Sequence, residues 1–217
     1  MNNLNEYYSK RAKEYEKIYH RDDPVRQSEQ IKIAEMIKDV FQNREVLEIA
    51  CGTGYWTVFL SEVTKSITAI DNSDEVLTIA RSKHYKNPII FQKSDAYQLP
   101  FGNLSFDGGM ANFWFSHVPK EKIQAFLDEF HRALKNDAIV FMADNVYNED
   151  VGGKLVLKEG NLNTYKIRIL EDGSEYEILK NYYTEAQILD VFGKNDIQDV
   201  FYGKCFWFIA YKFRVTD

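Results

Sequence analysis

Short apolar runs alternate along this chain with longer segments whose apolar residues recur every three or four positions. The runs at 46–50, 66–70, 89–92, 106–113 and 138–143 have the length of buried strands, and the segments between them have helical spacing. That order predicts βαβ units and a mostly parallel α/β sheet covered by helices. The first 41 residues read as helical, with Asp22, Asp23 and Pro24 marking a break and restart. Tyr8, Tyr15 and Tyr19 then share one face of the first helix, with Tyr7 and Arg11 on a neighbouring one. Farther along, 164–170 and 175–179 flank Asp172-Gly173, a turn signal that predicts a hairpin. A short helix at 184–192 precedes two final strands, 197–202 and 206–213, joined near Gly203. A connection that tight makes the end of the sheet antiparallel.

Composition narrows the function classes. A hydrophobic fraction of 45% and a charged fraction of 28% describe a folded chain, and no repeat, low-complexity tract or flexible linker divides its 217 residues. The 33 acidic residues outnumber the 27 basic ones, so the molecule as a whole repels a phosphate backbone and nucleic acid is a disfavoured partner. The lysine-rich stretches 10–17 and 83–86 read as solvated helix faces. Cys51 and Cys205 cannot form a multi-bridge framework, which points to a reducing cytoplasm. No run of about 18 apolar residues occurs, and MNNLNEYYSK lacks the basic-then-apolar order of a secretion signal, so no membrane partner is expected. His20, His84, His117 and His131 are scattered, and no metal site is indicated.

The segment Val46-Leu47-Glu48-Ile49-Ala50-Cys51-Gly52-Thr53-Gly54 is a buried strand running into a small-residue turn. Gly52 and Gly54 let backbone N–H groups approach a ligand, but the dinucleotide fingerprint's third glycine is missing, which makes a pyrophosphate site the poorer match. Asp71 ends the next strand, where a carboxylate can accept ribose hydroxyls; an Asp there also forms turns, and Asn72-Ser73 can cap the following helix. Asp95-Ala96 follows the third strand. Glu48, Asp71 and Asp95 on three successive strands are far more specific together than singly.

These residues resemble the class I S-adenosylmethionine-dependent methyltransferases over nearly the whole chain. The resemblance implies a Rossmann-like, doubly wound seven-stranded sheet, mostly parallel with an antiparallel last strand. It also implies a single domain: a helical lid over 1–41, a cofactor-binding core over 42–146, and a substrate-side hairpin and last strands over 147–217. The run Leu47 to Gly54 looks like the family's first motif, with Glu48 and the backbone at Ala50, Gly52 and Gly54 on the methionine end of S-adenosylmethionine. Asp71, with Asn72 beside it, matches the acid on the ribose. Asp95-Ala96 with Leu99-Pro100-Phe101 looks like the D-A-x-x-L-P-F segment, which places Asp95 on the adenine amino group and Ala96 on the ring edge. Phe106-Asp107 and the strand after it resemble the fourth motif, whose end faces the transferred methyl and brings Asn112 into the cofactor set. Tyr8, Ala12 and Tyr15 resemble the aromatic-x3-Ala-x2-Tyr pattern of a lid helix, a spacing that plain amphipathic packing also produces. One departure is visible: Leu134-Lys135-Asn136-Asp137-Ala138 stands where the family commonly has L-K-P-G-G.

A sulfonium methyl is already electrophilic, so such an enzyme mainly aligns acceptor, methyl carbon and leaving sulfur, with S-adenosylhomocysteine as the product. His117, just past the fourth strand, is the candidate base for a hydroxyl or protonated amine; the alternative is that it hydrogen-bonds the loop backbone. Phe113, Trp114 and Asp144 are the candidate acceptor contacts. The expected reaction is in-line methyl transfer to an O, N or S atom of a small molecule. The competing readings are methylation of a tRNA or protein, and a non-catalytic S-adenosylmethionine-binding protein. Monomer and homodimer both remain open.

Overall fold

A computed structural model describes residues 2–12, 14–149 and 154–214. In it the apolar runs become β1 (Glu45–Ile49), β2 (Ser66–Asp71), β3 (Ile89–Lys93), β4 (Phe106–Asn112) and β5 (Leu134–Asn145). These five are parallel, and the sheet continues through β10 (Phe206–Lys212) to β9 (Asp196–Tyr202) in the order β3-β2-β1-β4-β5-β10-β9. β10 runs antiparallel to both of its neighbours. Strand order reverses between β1 and β4, which opens a crevice beyond their carboxyl ends.

Alternate residues of the central strands feed cores on opposite faces of the sheet. Leu47, Val140 and Met142 pack with Phe126 and Phe130 of α5 (Ile123–Arg132) and with Ile188 and Phe192 of α6 (Glu185–Phe192). Val46, Ile139 and Phe141 pack with Ile33 and Ile37 of α2 (Pro24–Val40) and with Trp56 and Leu60 of α3 (Tyr55–Ser61). The start signals act as read: Asp23 caps α2 ahead of Pro24, Ser73 caps α4 (Asp74–Arg81), and Thr184 with Gln187 forms a capping box on α6.

A second, three-stranded antiparallel sheet holds β6 (Val156–Leu157), β7 (Thr164–Ile169) and β8 (Glu175–Leu179). Gly173, at φ 82°, turns β7 into β8. α1 (Asn2–Arg11) lies on this sheet, with the Tyr7 and Tyr176 rings 5.7 Å apart. The N-terminal helix is shorter than the periodicity suggests: it stops at Arg11, and a 3-10 turn, Tyr15–His20, follows. The three tyrosines still meet, Tyr15 lying 5.7 Å from Tyr8 and 5.9 Å from Tyr19. Packing of their rings overrides the local helical repeat. β5 also starts earlier than its apolar run, because Asp137, at φ 61°, donates its N–H to Phe213 O at 2.9 Å and holds the polar residues 135–137 in the ladder. Among the described residues no helix is long and apolar enough to cross a membrane.

Candidate functional site

β1 ends in a turn whose backbone is left-handed at Ala50, Gly52 and Gly54, with φ of 53°, 56° and 78°. The Asp71 carboxylate braces it, accepting Gly52 N–H and Ser73 N–H at 3.0 Å each. Burial raises the Asp71 pKa, and those amide donors oppose the rise. A Cβ on Gly52 would meet nothing within 4 Å, whereas one on Gly54 would lie 2.3 Å from the Tyr85 hydroxyl. Gly52 therefore faces open space and Gly54 faces protein.

That space is a cavity of about 810 Å³ at the carboxyl ends of β1 to β4. Tyr8, Tyr15, Ala50, Gly52, Asp71, Asn72, Asp95, Ala96 and Asn112 of the expected cofactor set all line it. Glu48 and Gly54 do not. Glu48 points into the interior, 2% exposed, and burial lifts its carboxyl to about 8. Trp114, read as an acceptor contact, lines this cofactor cavity instead, because the chain turns after Asn112 with Phe113 at φ 58°.

The cavity fits an adenosyl sulfonium. It carries two carboxylates, Asp71 and Asp95, and no lysine or arginine. Asn112 Oδ1 is a buried acceptor without a partner among the described residues. Such a lining favours a ligand that is cationic at one end and donates hydrogen bonds.

A second cavity, of about 940 Å³, adjoins the first beneath α1. Tyr8, Tyr15, Phe113 and His117 line both and form the wall between them. His117 Nδ1 lies 2.7 Å from Leu179 O, and Nε2 lies 2.7 Å from the Tyr8 hydroxyl. A carbonyl only accepts, so Nδ1 carries the proton and Tyr8 donates to the Nε2 lone pair. Burial and the nearby Lys180 charge hold the imidazole well below its ordinary range.

Asp144 is not a handle in this cavity. It is fully buried, accepts Ser116 N–H at 2.8 Å, and pairs with Lys180 Nζ at 3.1 Å. Burial would raise its carboxyl, but Lys180 and the amide donors hold it below its ordinary value. The pair fixes the end of β8 to the loop after β4, with Asn181 N–H donating to Ser116 O at 2.7 Å. Sequence reading missed Arg168, Lys180, Tyr182 and Lys204, which line the second cavity from distant segments. Their one signal is the alternation Lys166-Ile167-Arg168-Ile169 in β7, where the charged residues face inward. Among the described residues no group of three His, Cys, Asp or Glu side chains could hold a metal ion.

The profile of the methyltransferase domain family matches residues 46–137, which run from β1 into β5. The chain is 30% identical over 208 residues to the uncharacterized protein MJ1252 of Methanocaldococcus jannaschii, covering 91% of this chain and 77% of that one. It is 30% identical over 148 residues to an uncharacterized methyltransferase of Staphylococcus carnosus, covering 67% and 69%. Among solved structures, the DhpI-SAM-HEP complex superposes with a TM-score of 0.78 at 24% identity, over 98% of this chain and 96% of that one. Sequence and fold agree, and the chain belongs to the class I S-adenosylmethionine-dependent methyltransferases.

Proposed function

We propose that this methyltransferase carries the methyl group by in-line displacement to a small molecule held in the second cavity. The observation that supports it is the shared wall: the cofactor cavity and a neighbour of similar size meet at Tyr8, Tyr15, Phe113 and His117. A recess under a helix, lined by side chains from distant segments, suits a small molecule better than a tRNA or a protein surface. When bound, S-adenosylmethionine supplies an already electrophilic methyl carbon. The chain's own task is alignment and exclusion of water. Tyr8 and Tyr15 close over the junction, and Phe113 fixes the floor.

His117 fits a positioning role better than that of a base, because its only lone pair already accepts from Tyr8. Turnover is then independent of imidazole titration, and kcat stays flat from about pH 6 to about pH 8. His117→Ala lowers kcat by releasing Tyr8, with cofactor affinity little changed; an acidic limb near the ordinary imidazole pKa that vanishes in His117→Ala would restore the base assignment. The activity itself is tested by incubating purified protein with methyl-labelled cofactor and a panel of hydroxy, amino, thiol and acid metabolites. Label in a small-molecule product is expected; label only in tRNA or protein, or in nothing, contradicts the proposal.

A further inference from the structure

The second cavity has a charge pattern that methyl transfer alone does not require. Arg11, Arg21, Arg26, Arg168, Lys180 and Lys204 line it, with no carboxylate among the lining residues, in a chain of net charge -6. These cations come from α1, the residue after the 3-10 turn, the start of α2, β7, the segment after β8 and the turn before β10. Chain topology gathers them; no local basic run does. The cofactor cavity across the wall has the opposite lining, two carboxylates and no lysine or arginine.

Some surface cations elsewhere are matched: Lys65 and Lys135 share Glu45, and Arg132 pairs with Glu129. In the cavity Lys180 alone is matched, by Asp144 behind it. Arg11, Arg21, Arg26, Arg168 and Lys204 have no carboxylate of the described residues within the 4.0 Å of an ion pair. Arg26 is 8% exposed, stacked 4.5 Å over Phe206, and its Nε, like that of Arg168, is buried with no hydrogen-bond partner among the described residues. β7 turns its charged side inward, with Lys166 1% exposed while Ile167 and Ile169 are 41% and 70% exposed, and Arg168 of the same strand reaches the cavity. Burial chiefly, and then the Arg168 and Lys180 charges, bring the Lys166 ammonium down to about 8.

Gathering like charges under a helix and leaving guanidinium donors without acceptors both disfavour folding unless a ligand completes them. A guanidinium fork matches two oxygens of a phosphate-type or carboxylate group. Resting on the methyl-transfer reading above, we infer that the second cavity binds a small acceptor bearing an oxyanion, held by Arg11, Arg26 and Arg168. The acceptor's charge is thus complementary to its own cavity and opposite to that of the cofactor next door.

The test titrates protein saturated with S-adenosylhomocysteine against inorganic phosphate, acetate and methylammonium, followed by calorimetry. One phosphate or acetate binds per chain, the better of the two telling tetrahedral from planar oxyanions; methylammonium does not bind, and added salt weakens the anion. Arg168→Gln lowers anion affinity by about ten-fold or more and Arg168→Lys by less, with S-adenosylhomocysteine affinity unchanged in both. Equal binding of the three probes, or unaltered anion affinity in Arg168→Gln, overturns the inference. Nucleoside binding without anion binding also overturns it and leaves the methyl-transfer reading standing. Failure of the nucleoside to bind overturns that reading and the inference with it.

Discussion

Gly52 and Gly54 sit two residues apart in one turn and meet different neighbours. Both need a left-handed backbone, so alanine at either costs about 1 kcal/mol of strain. At Gly54 the added methyl also meets the Tyr85 hydroxyl at 2.3 Å and Ala80 Cβ at 3.2 Å. At Gly52 it projects into the cofactor cavity. Gly54→Ala is therefore expected to lose about 2 to 3 kcal/mol of unfolding free energy, the larger loss of the two. Gly52→Ala keeps more stability and loses more than about ten-fold in cofactor affinity. Urea unfolding and calorimetry on both variants check this, and the reverse ordering would reassign the two glycines. The turn was legible because small residues directly after a buried strand mark a left-handed backbone, which Ala50, Gly52 and Gly54 adopt. Glu48 lies 2% exposed and off the cavity lining, and sequence cannot tell an acid facing a cavity from one buried beneath the turn.

At the scale of elements, the alternation of strand and helix was readable in each apolar run, and so was the Asp172-Gly173 hairpin. Three things were not. A two-residue strand such as β6 carries no period to detect. The 3-10 turn packs Tyr19 on Tyr55 and Trp56 of α3, contacts that local spacing does not announce. In β7 the usual rule of apolar residues inside is reversed, with Lys166 buried and Ile167 and Ile169 exposed, so the period alone does not say which side faces in. The same N-terminal elements close the site: Glu16, in the 3-10 turn, accepts from the Thr53 hydroxyl and from Lys83, tying the lid to the glycine turn and to the end of α4. Removing that tie by Glu16→Ala is expected to speed cofactor dissociation by roughly five-fold, about 1 kcal/mol, with little change in Tm. Stopped-flow release of S-adenosylhomocysteine measures it; an unchanged rate would mean that the lid is held by its tyrosines alone.

For the molecule as a whole, pH links burial to stability. His131 stacks on Phe213 at 4.3 Å, lies 2.8 Å from the Tyr211 hydroxyl through Nε2, and is pulled by burial from 6.5 to about 4. The unfolded chain binds its proton near pH 6.5 and the folded chain only near pH 4, so stability falls as pH drops through that window. The unfolding free energy of wild type minus that of His131→Gln is expected to fall by roughly 2 kcal/mol between about pH 7 and about pH 5. A constant difference would show that the imidazole titrates normally. Taking the difference cancels Glu48, whose raised pKa works in the opposite direction.

At the same scale an acidic cavity and a basic cavity lie on either side of one aromatic wall, and the proposed transfer depends on that adjacency. A crystal structure with S-adenosylhomocysteine tests it most directly. The account predicts the ribose on Asp71, the adenine beside Asp95 and Ala96, and the sulfur against Tyr8, Tyr15, Phe113 and His117, facing the basic cavity. A sulfur turned away from that wall, or a nucleoside bound elsewhere, would contradict it.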